Sequence, residues 1–294
     1  MELWIVFTFL AVVMQSVRTA GQKQIARHIS IAATTLVRFL FGLPFAVAYF
    51  YFLRHYYQIT ELLLNGTFFL SASLAAVAQI FATLCLVKAI SIRNFAVGTA
   101  LVKTEAILTA LLGTWFFAES LSALGYLSVV VGVAGVLVAS NWKINFKDLI
   151  ENDSIKFGLG AGLGFALASL WLRDASLSLD QPRLFSASVV LVYMVGLQTV
   201  ICLLWVGYSE LQQFRLVLAN YRASVFIGFT SVAGSIGWFT AMSLQKAALV
   251  KTLGQTEFLV TLLITYLYFG ERISRREYAG IGLIAISLLL LFSA

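Results

Sequence analysis

Charge is scarce in this chain: only 11% of its 294 residues are Asp, Glu, Lys or Arg, against about 25% in a soluble domain. That scarcity excludes a soluble globular enzyme, a disordered segment and a coiled coil. Proline is limited to Pro44 and Pro182, and no low-complexity run occurs, so Pro-rich linkers and collagen-like stretches are excluded as well. The two cysteines, Cys85 and Cys202, both lie in apolar stretches and offer neither a disulfide framework nor a zinc pattern. The two histidines, His28 and His55, fall between apolar segments, and no Asp/Glu/His cluster has metal-ligand spacing. No G-x-x-x-x-G-K-[ST] sequence is present, so no ATP site of that type is expected to drive work within this chain. The expectation is a protein that is not an enzyme and uses no cofactor and no metal.

What is present is apolar. Hydrophobic residues make up 61% of the chain, and mean hydropathy is +0.93. About 20 apolar residues at a rise of 1.5 Å cross the ~30 Å of hydrocarbon in a bilayer. Ten segments read that way, at approximately 3–18, 31–53, 66–88, 95–118, 122–140, 157–172, 184–207, 222–244, 248–269 and 276–293. The predicted fold class is therefore all-α integral membrane with ten transmembrane helices, and the lipid bilayer is the first partner. A barrel of alternating strands does not fit runs such as residues 127–139 and 281–292, which are continuously apolar. The first segment reads as a helix rather than a cleaved signal, because Glu2 precedes it and Arg18 follows it. The net charge of +7 resides largely between apolar stretches, where it sets orientation; no nucleic-acid partner is expected. Thirteen Lys and Arg residues, Arg18 among them, fall in one set of loops and four in the other, which predicts both termini outside the cytoplasm.

The chain also matches itself. Shifted by 152 positions, residues 89–126 align without a gap to 241–278, with twelve of 38 positions identical. Thr104-Glu105 falls on Thr256-Glu257, Glu119 on Glu271, Ser122 on Ser274 and Tyr126 on Tyr278. The offset is about half the chain, so two five-helix halves are expected, 1–145 and 146–294. Five is odd, so the second half enters the membrane from the opposite side. Inverted repeats of this kind place a substrate site where the halves meet near the bilayer midplane, and exchange of conformations between halves yields outward-open and inward-open states.

These residues carry a resemblance. The pattern is similar to the EamA family of the drug/metabolite transporter superfamily, whose members have ten helices in two five-helix repeats. Arg38 in TLVRFLFGLPFA matches the arginine that opens the family's second helix, and Ala89 in LVKAISI matches the end of its third. Thr104-Glu105 and Thr256-Glu257 match a Glu-Pro pair in the fourth and ninth helices; Ala118-Glu119 and Gly270-Glu271 match the Gly-Glu that closes them. The chain departs from the pattern at Ala106 and Phe258, which replace the prolines, and at Val190, which stands opposite Arg38. The resemblance implies a secondary transporter, an exporter in many members, in a cell membrane such as a bacterial inner membrane.

Ionisable groups inside membrane helices are expensive and mark function or internal pairing. Glu105 and Glu257 lie near the middle of the fourth and ninth expected helices. They either line a substrate cavity, binding a proton or a cationic group, or make structural salt bridges. Lys103 sits two residues from Glu105, on nearly the opposite side of one helix, so it must find another partner or the cavity. Lys251 lies nearer a membrane surface and can snorkel; Arg38 can neutralise a glutamate or bind a substrate carboxylate. With Gln255, the counterpart of Lys103, and Trp238, a possible aromatic cation contact, these form the candidate substrate-binding or coupling set. Gln15, Gln79, Ser231, Ser235 and Thr240 are further hydrogen-bonding candidates. Glu119 and Glu271 read best as caps of the helix that follows each. The mixed charge favours a zwitterionic or anionic small molecule over a bare cation, moved by alternating access with protons as the candidate coupling ion. An uncoupled facilitator and a broad-specificity exporter of amphiphiles are the alternatives, in a monomer or homodimer.

Overall fold

The computed structural model describes residues 2–92, 101–139, 153–260, 262–263 and 274–293. In an apolar solvent every backbone polar group must be satisfied internally, and helix does this within one segment. Accordingly the described residues form helices and no strand: α1 (Leu3–Ile25), α2 (Ile31–Leu40), α3 (Leu43–Tyr56), α4 (Gly66–Ile92), α5 (Glu105–Phe116), α6 (Ala123–Ala139), α7 (Asp153–Leu177), α8 (Arg183–Ser209), α9 (Gln213–Ala219), α10 (Tyr221–Leu244), α11 (Ala247–Leu253) and α12 (Arg275–Phe292), with a 3-10 turn at Gly254–Thr256. Six spans among them are long and apolar enough to cross a membrane: Leu3–Ile25, Ile31–Tyr56, Gly66–Ile92, Ile155–Leu177, Arg183–Ser209 and Tyr221–Leu244. The α5 and α6 helices are shorter apolar segments, and α12 opens on the charged run Arg275-Arg276-Glu277. Ten full-length crossings are thus not what the described residues display.

The distribution of polarity is that of a protein in lipid. Thr34, Thr83, Gln198 and Thr252 are buried, while Leu204, Leu289, Phe52 and Trp115 face outward. The outward faces are apolar because the surrounding solvent is, and the polar side chains collect between helices, where they find partners.

The 152-residue register holds well beyond the stretch where identities reveal it. Adding 152 to the last residue of α1 and of α4 gives the last residue of α7 and of α10, and adding it to the start of α6 gives the start of α12. Packing obeys the same exchange. The most extensive contacts join α1 to α10, α4 to α7, and α6 to α12. Shifting by 152 converts the first pair into the second and the third into itself, as a pseudo-twofold relation between repeats requires.

Three local features differ from the sequence expectation. The α1 helix does not stop at residue 18 but continues to Ile25, burying Ser16, Arg18, Thr19 and Gln22. Arg18 therefore leaves the count of loop cations, which becomes twelve against four. The second expected helix is interrupted at Phe41 and Gly42, between α2 and α3. There the backbone presses on α10: a Cβ on Gly228 would lie 2.4 Å from the carbonyl carbon of Phe41, and one on Gly42 2.9 Å from Cγ2 of Val232. The α8 counterpart has Met194 in place of Gly42 and runs unbroken.

The third difference is at Ala118, which ends α5 with a left-handed φ of 53°. Left-handed residues at this place are usually glycine, since a Cβ costs about 1–2 kcal/mol there. Ala118→Gly is expected to raise stability by about 0.5–1 kcal/mol, read as a higher melting temperature. An unchanged or lower value would show that the strain is absent.

Candidate functional site

Both repeat glutamates sit just after a break in a helix. Residues 101–102 are helical, Lys103 and Thr104 form a turn, and α5 starts at Glu105. In the second repeat α11 ends at Leu253, the 3-10 turn occupies Gly254–Thr256, and helix resumes at Glu257. The interruptions occur although Ala106 and Phe258 stand where the resembled family has proline. Tight backbone hydrogen bonds replace the proline: Thr104 N–H donates to the Leu101 carbonyl at 3.2 Å and Ala106 N–H to the Lys103 carbonyl at 3.3 Å. Trp238 packs on the second break, where only a glycine fits: a Cβ on Gly254 would lie 2.4 Å from its ring.

Across these breaks the two repeats exchange ion pairs. Lys103 of the first repeat bonds Glu257 of the second, and Lys251 of the second reaches Glu105 of the first at 3.1 Å. All four side chains are buried. Lys103, in the turn, and Glu105, two positions on at the start of α5, reach different partners in the second repeat. Lys251 does not snorkel to a surface: it is only 7% exposed, and its ammonium lies 4.5 Å from the centre of the Trp238 ring and 5.9 Å from that of Phe165. Gln15 donates to Glu257 at 2.8 Å and accepts from the Trp238 indole at 2.8 Å, tying α1 and α10 to the second carboxylate.

Two members of the candidate set lie elsewhere. Arg38 bonds no glutamate among the described residues; its Nη1 donates to Thr83 Oγ1 at 2.6 Å, and its guanidinium lies 5.1 Å from the Phe39 ring centre. Gln255 packs against α6, where a Cβ on Gly132 would be 2.2 Å from its Oε1, and both of its amide atoms lack a hydrogen-bond partner among the described residues. Gln79 accepts from Gln198 at 2.8 Å, joining α4 to α8, while Ser231, Ser235 and Thr240 are buried in α10.

Glu119, expected from its place before Ser122 to cap the helix that follows, does not do so. The serines cap: Ser122 accepts from Gly125 N–H at 3.0 Å, and Ser274 forms a capping box with Glu277. Glu119 instead pairs with Arg173 of α7 and accepts from Ala247 N–H of α11 at 3.3 Å. Arg173 also donates to the carbonyls of Met242 and Gln245, the latter at 2.7 Å. Next to it Ser176 and Ser243 are hydrogen-bonded at 2.6 Å. One arginine thus clamps the ends of α5, α7 and α10 and the start of α11. Its repeat counterpart is Gly21, so no matching arginine exists on the other side. Gly270 and Glu271 lie outside the described residues, as does Trp142.

The residue that sequence reasoning missed is Arg18. It is 1% exposed, and it interacts electrostatically with Glu257, Glu105 and Arg38. The available signal was spacing: Gln15, Arg18, Thr19 and Gln22 recur as one helical stripe.

A multi-pass membrane protein of two repeats, joined through a buried charged centre, is the class this architecture defines. The EamA-like transporter family matches the chain twice, over residues 2–141 and 154–293, and the chain belongs to that family. The family is one of membrane transporters. Among solved structures 27 chains match. One of them, titled only as the crystal structure of a protein, superposes with a TM-score of 0.74 at 12% identity, covering 98% of this chain and 95% of its own. At that identity the likeness is one of fold. No curated protein matches.

Proposed function

We propose that this protein is a secondary transporter of small zwitterionic or polar metabolites, amino acids among them, working by alternating access between two inverted halves, 1–145 and 146–294. The observation that carries the reading is the reciprocal pairing Lys103–Glu257 and Lys251–Glu105 between repeats. A zwitterion can replace both partners of such a pair at once, its ammonium on a carboxylate and its carboxylate on an ammonium. No buried charge is then stranded. A bare cation would compete for the glutamate and leave a lysine uncompensated, at a cost of several kcal/mol.

Protons fit the same scheme. Protonation of Glu105 or Glu257 weakens the bond to its lysine and loosens the contact between repeats, so proton binding and opening are linked. The twelve-to-four loop bias keeps both termini outside the cytoplasm in this reading.

Glu105→Gln keeps the shape of the side chain and removes its titratable proton. With no proton to exchange at this position, accumulation driven by a pH gradient should fall to the level that an uncoupled carrier reaches. Exchange at equal pH should persist. The measurement is uptake of a labelled amino-acid mixture into proteoliposomes with and without the gradient. Unaltered gradient-driven uptake by this variant and by Glu257→Gln would remove the proton from the mechanism and leave a facilitator.

A further inference from the structure

Among the described residues four cations are buried, Arg18, Arg38, Lys103 and Lys251, and two carboxylates, Glu105 and Glu257. Each carboxylate is taken by a lysine. Neither arginine has a carboxylate within salt-bridge distance among the described residues. Arg38 has at least Thr83 and the Phe39 ring. Arg18 has less: its Nε and Nη2 are both buried without a hydrogen-bond partner among the described residues. A guanidinium does not shed its proton in a protein, so this site cannot relieve its charge by neutralising itself. Arg18 and Arg38 also feel each other as like charges.

The identity of the two bare atoms is informative. Nε–H and the outward N–H of Nη2 lie parallel along one edge of the guanidinium, the edge that clasps a carboxylate with two N–H···O bonds. One turn further along α1, at i+4, Gln22 is wholly buried with both its amide atoms unpartnered among the described residues. On the other side of Arg18, at i−3, Gln15 is held by Glu257 and Trp238. Positions 15, 18 and 22 share one face of the helix, so the stripe that carries Arg18 is the stripe that touches the crossed ion pairs. The α1 helix also packs on α11 and on the 3-10 turn that precedes Glu257.

We propose that Arg18, supported by Gln22, is a carboxylate-binding subsite on α1, separate from the lysine–glutamate pairs, that takes a small organic acid or the acid group of an amino acid side-on. The subsite deepens the transport reading and rests on it for how the ligand reaches the centre, but its binding chemistry stands on Arg18 alone. A carboxylate bound there also supplies negative charge to a site where Arg18 has no carboxylate within salt-bridge distance among the described residues.

The test is the melting temperature of the purified full chain in sodium formate, acetate, benzoate and succinate, each against sodium chloride at equal ionic strength. The wild-type protein should melt several degrees higher, saturably, in at least one carboxylate than in chloride. Arg18→Gln should abolish that rise, and Arg18→Lys, which keeps the charge but not the fork, should reduce it. Arg18→Gln removes an uncompensated buried charge, so in chloride it should melt at or above the wild type. Equal stabilisation by chloride would make the site one for any anion and overturn the proposal. A rise that survives Arg18→Gln, no rise in any carboxylate, or an Arg18→Gln protein that melts well below the wild type in chloride would each overturn it too. Failure of proteoliposome flux with an intact Arg18-dependent rise would instead remove the transport reading and leave the subsite standing.

Discussion

Glu257→Gln is expected to cost about 3–5 kcal/mol of stability, because it strands the buried ammonium of Lys103 without a counter-charge. It also weakens the anchor of Gln15 and, through it, of Trp238. The informative variant is the double one. Replacing both members of a buried ion pair by apolar residues of similar size is often neutral or stabilising. Lys103→Met with Glu257→Leu should therefore recover most of the melting temperature that Glu257→Gln loses. If the pair serves only to hold the repeats together, transport returns with stability. If the pair is the element that substrate and proton exchange with, the double variant is folded and inactive. A double variant that remains as unstable as the single one would show that Lys103 and Glu257 do not compensate each other.

The second large effect is expected at Arg173. Its guanidinium joins Glu119 to the carbonyls of Met242 and Gln245, and the pair is about 14% exposed on each side, so solvent screens it little. Charged hydrogen bonds of this kind contribute about 1.5–3 kcal/mol each. The clamp ties together the ends of α5, α7 and α10, and Gly21 at the repeat-related position provides no equivalent. Arg173→Met should then shift the balance toward opening at the clamped end by about ten- to a hundredfold. The readout is thiol labelling of Ser176→Cys, whose native hydroxyl is buried against Ser243, in a chain lacking the free Cys85 and Cys202. Faster labelling by that factor is the expected result; an unchanged rate would show that Arg173 braces the helix ends without gating them.

Much of this architecture can be read from the sequence because the repeat is so regular. The self-match over residues 89–126 already contains the 152-residue register that later aligns helix ends as far away as Ile25 and Leu177. Glu105 and Glu257 stand out because a carboxylate in an apolar run has few bland explanations. The partners were harder to see. Lys251 sits six residues before Glu257, close to the apparent end of an apolar segment, where a lysine ordinarily reaches for the interface. Only the tertiary crossing of the two broken helices brings it to Glu105 instead. Arg18 was hidden by its neighbours, since the polar run QSVRTAGQKQ has the composition of a helix end at a membrane surface. Hydropathy averages composition and discards direction, whereas the spacing of Gln15, Arg18, Thr19 and Gln22 preserved it. The break between α2 and α3 has no signal in hydropathy; Pro44 in the first turn of α3 cannot continue the α2 hydrogen-bond ladder, and Gly42 and Gly228 let the backbone there approach a helix far along the chain. The local pattern around Glu119 is that of a cap because Ser122 follows it, but it is the serine that accepts from the helix N–H.

Counterflow of labelled amino acids into proteoliposomes, run on the wild type and on the Lys103→Met/Glu257→Leu protein in parallel at matched folded fraction, tests the central claim most directly. The account predicts transient accumulation of label by the wild type and none above protein-free vesicles by the double variant, although both melt at similar temperatures. Accumulation by the double variant at the wild-type rate would contradict it, because the crossed ion pair would then be dispensable to transport.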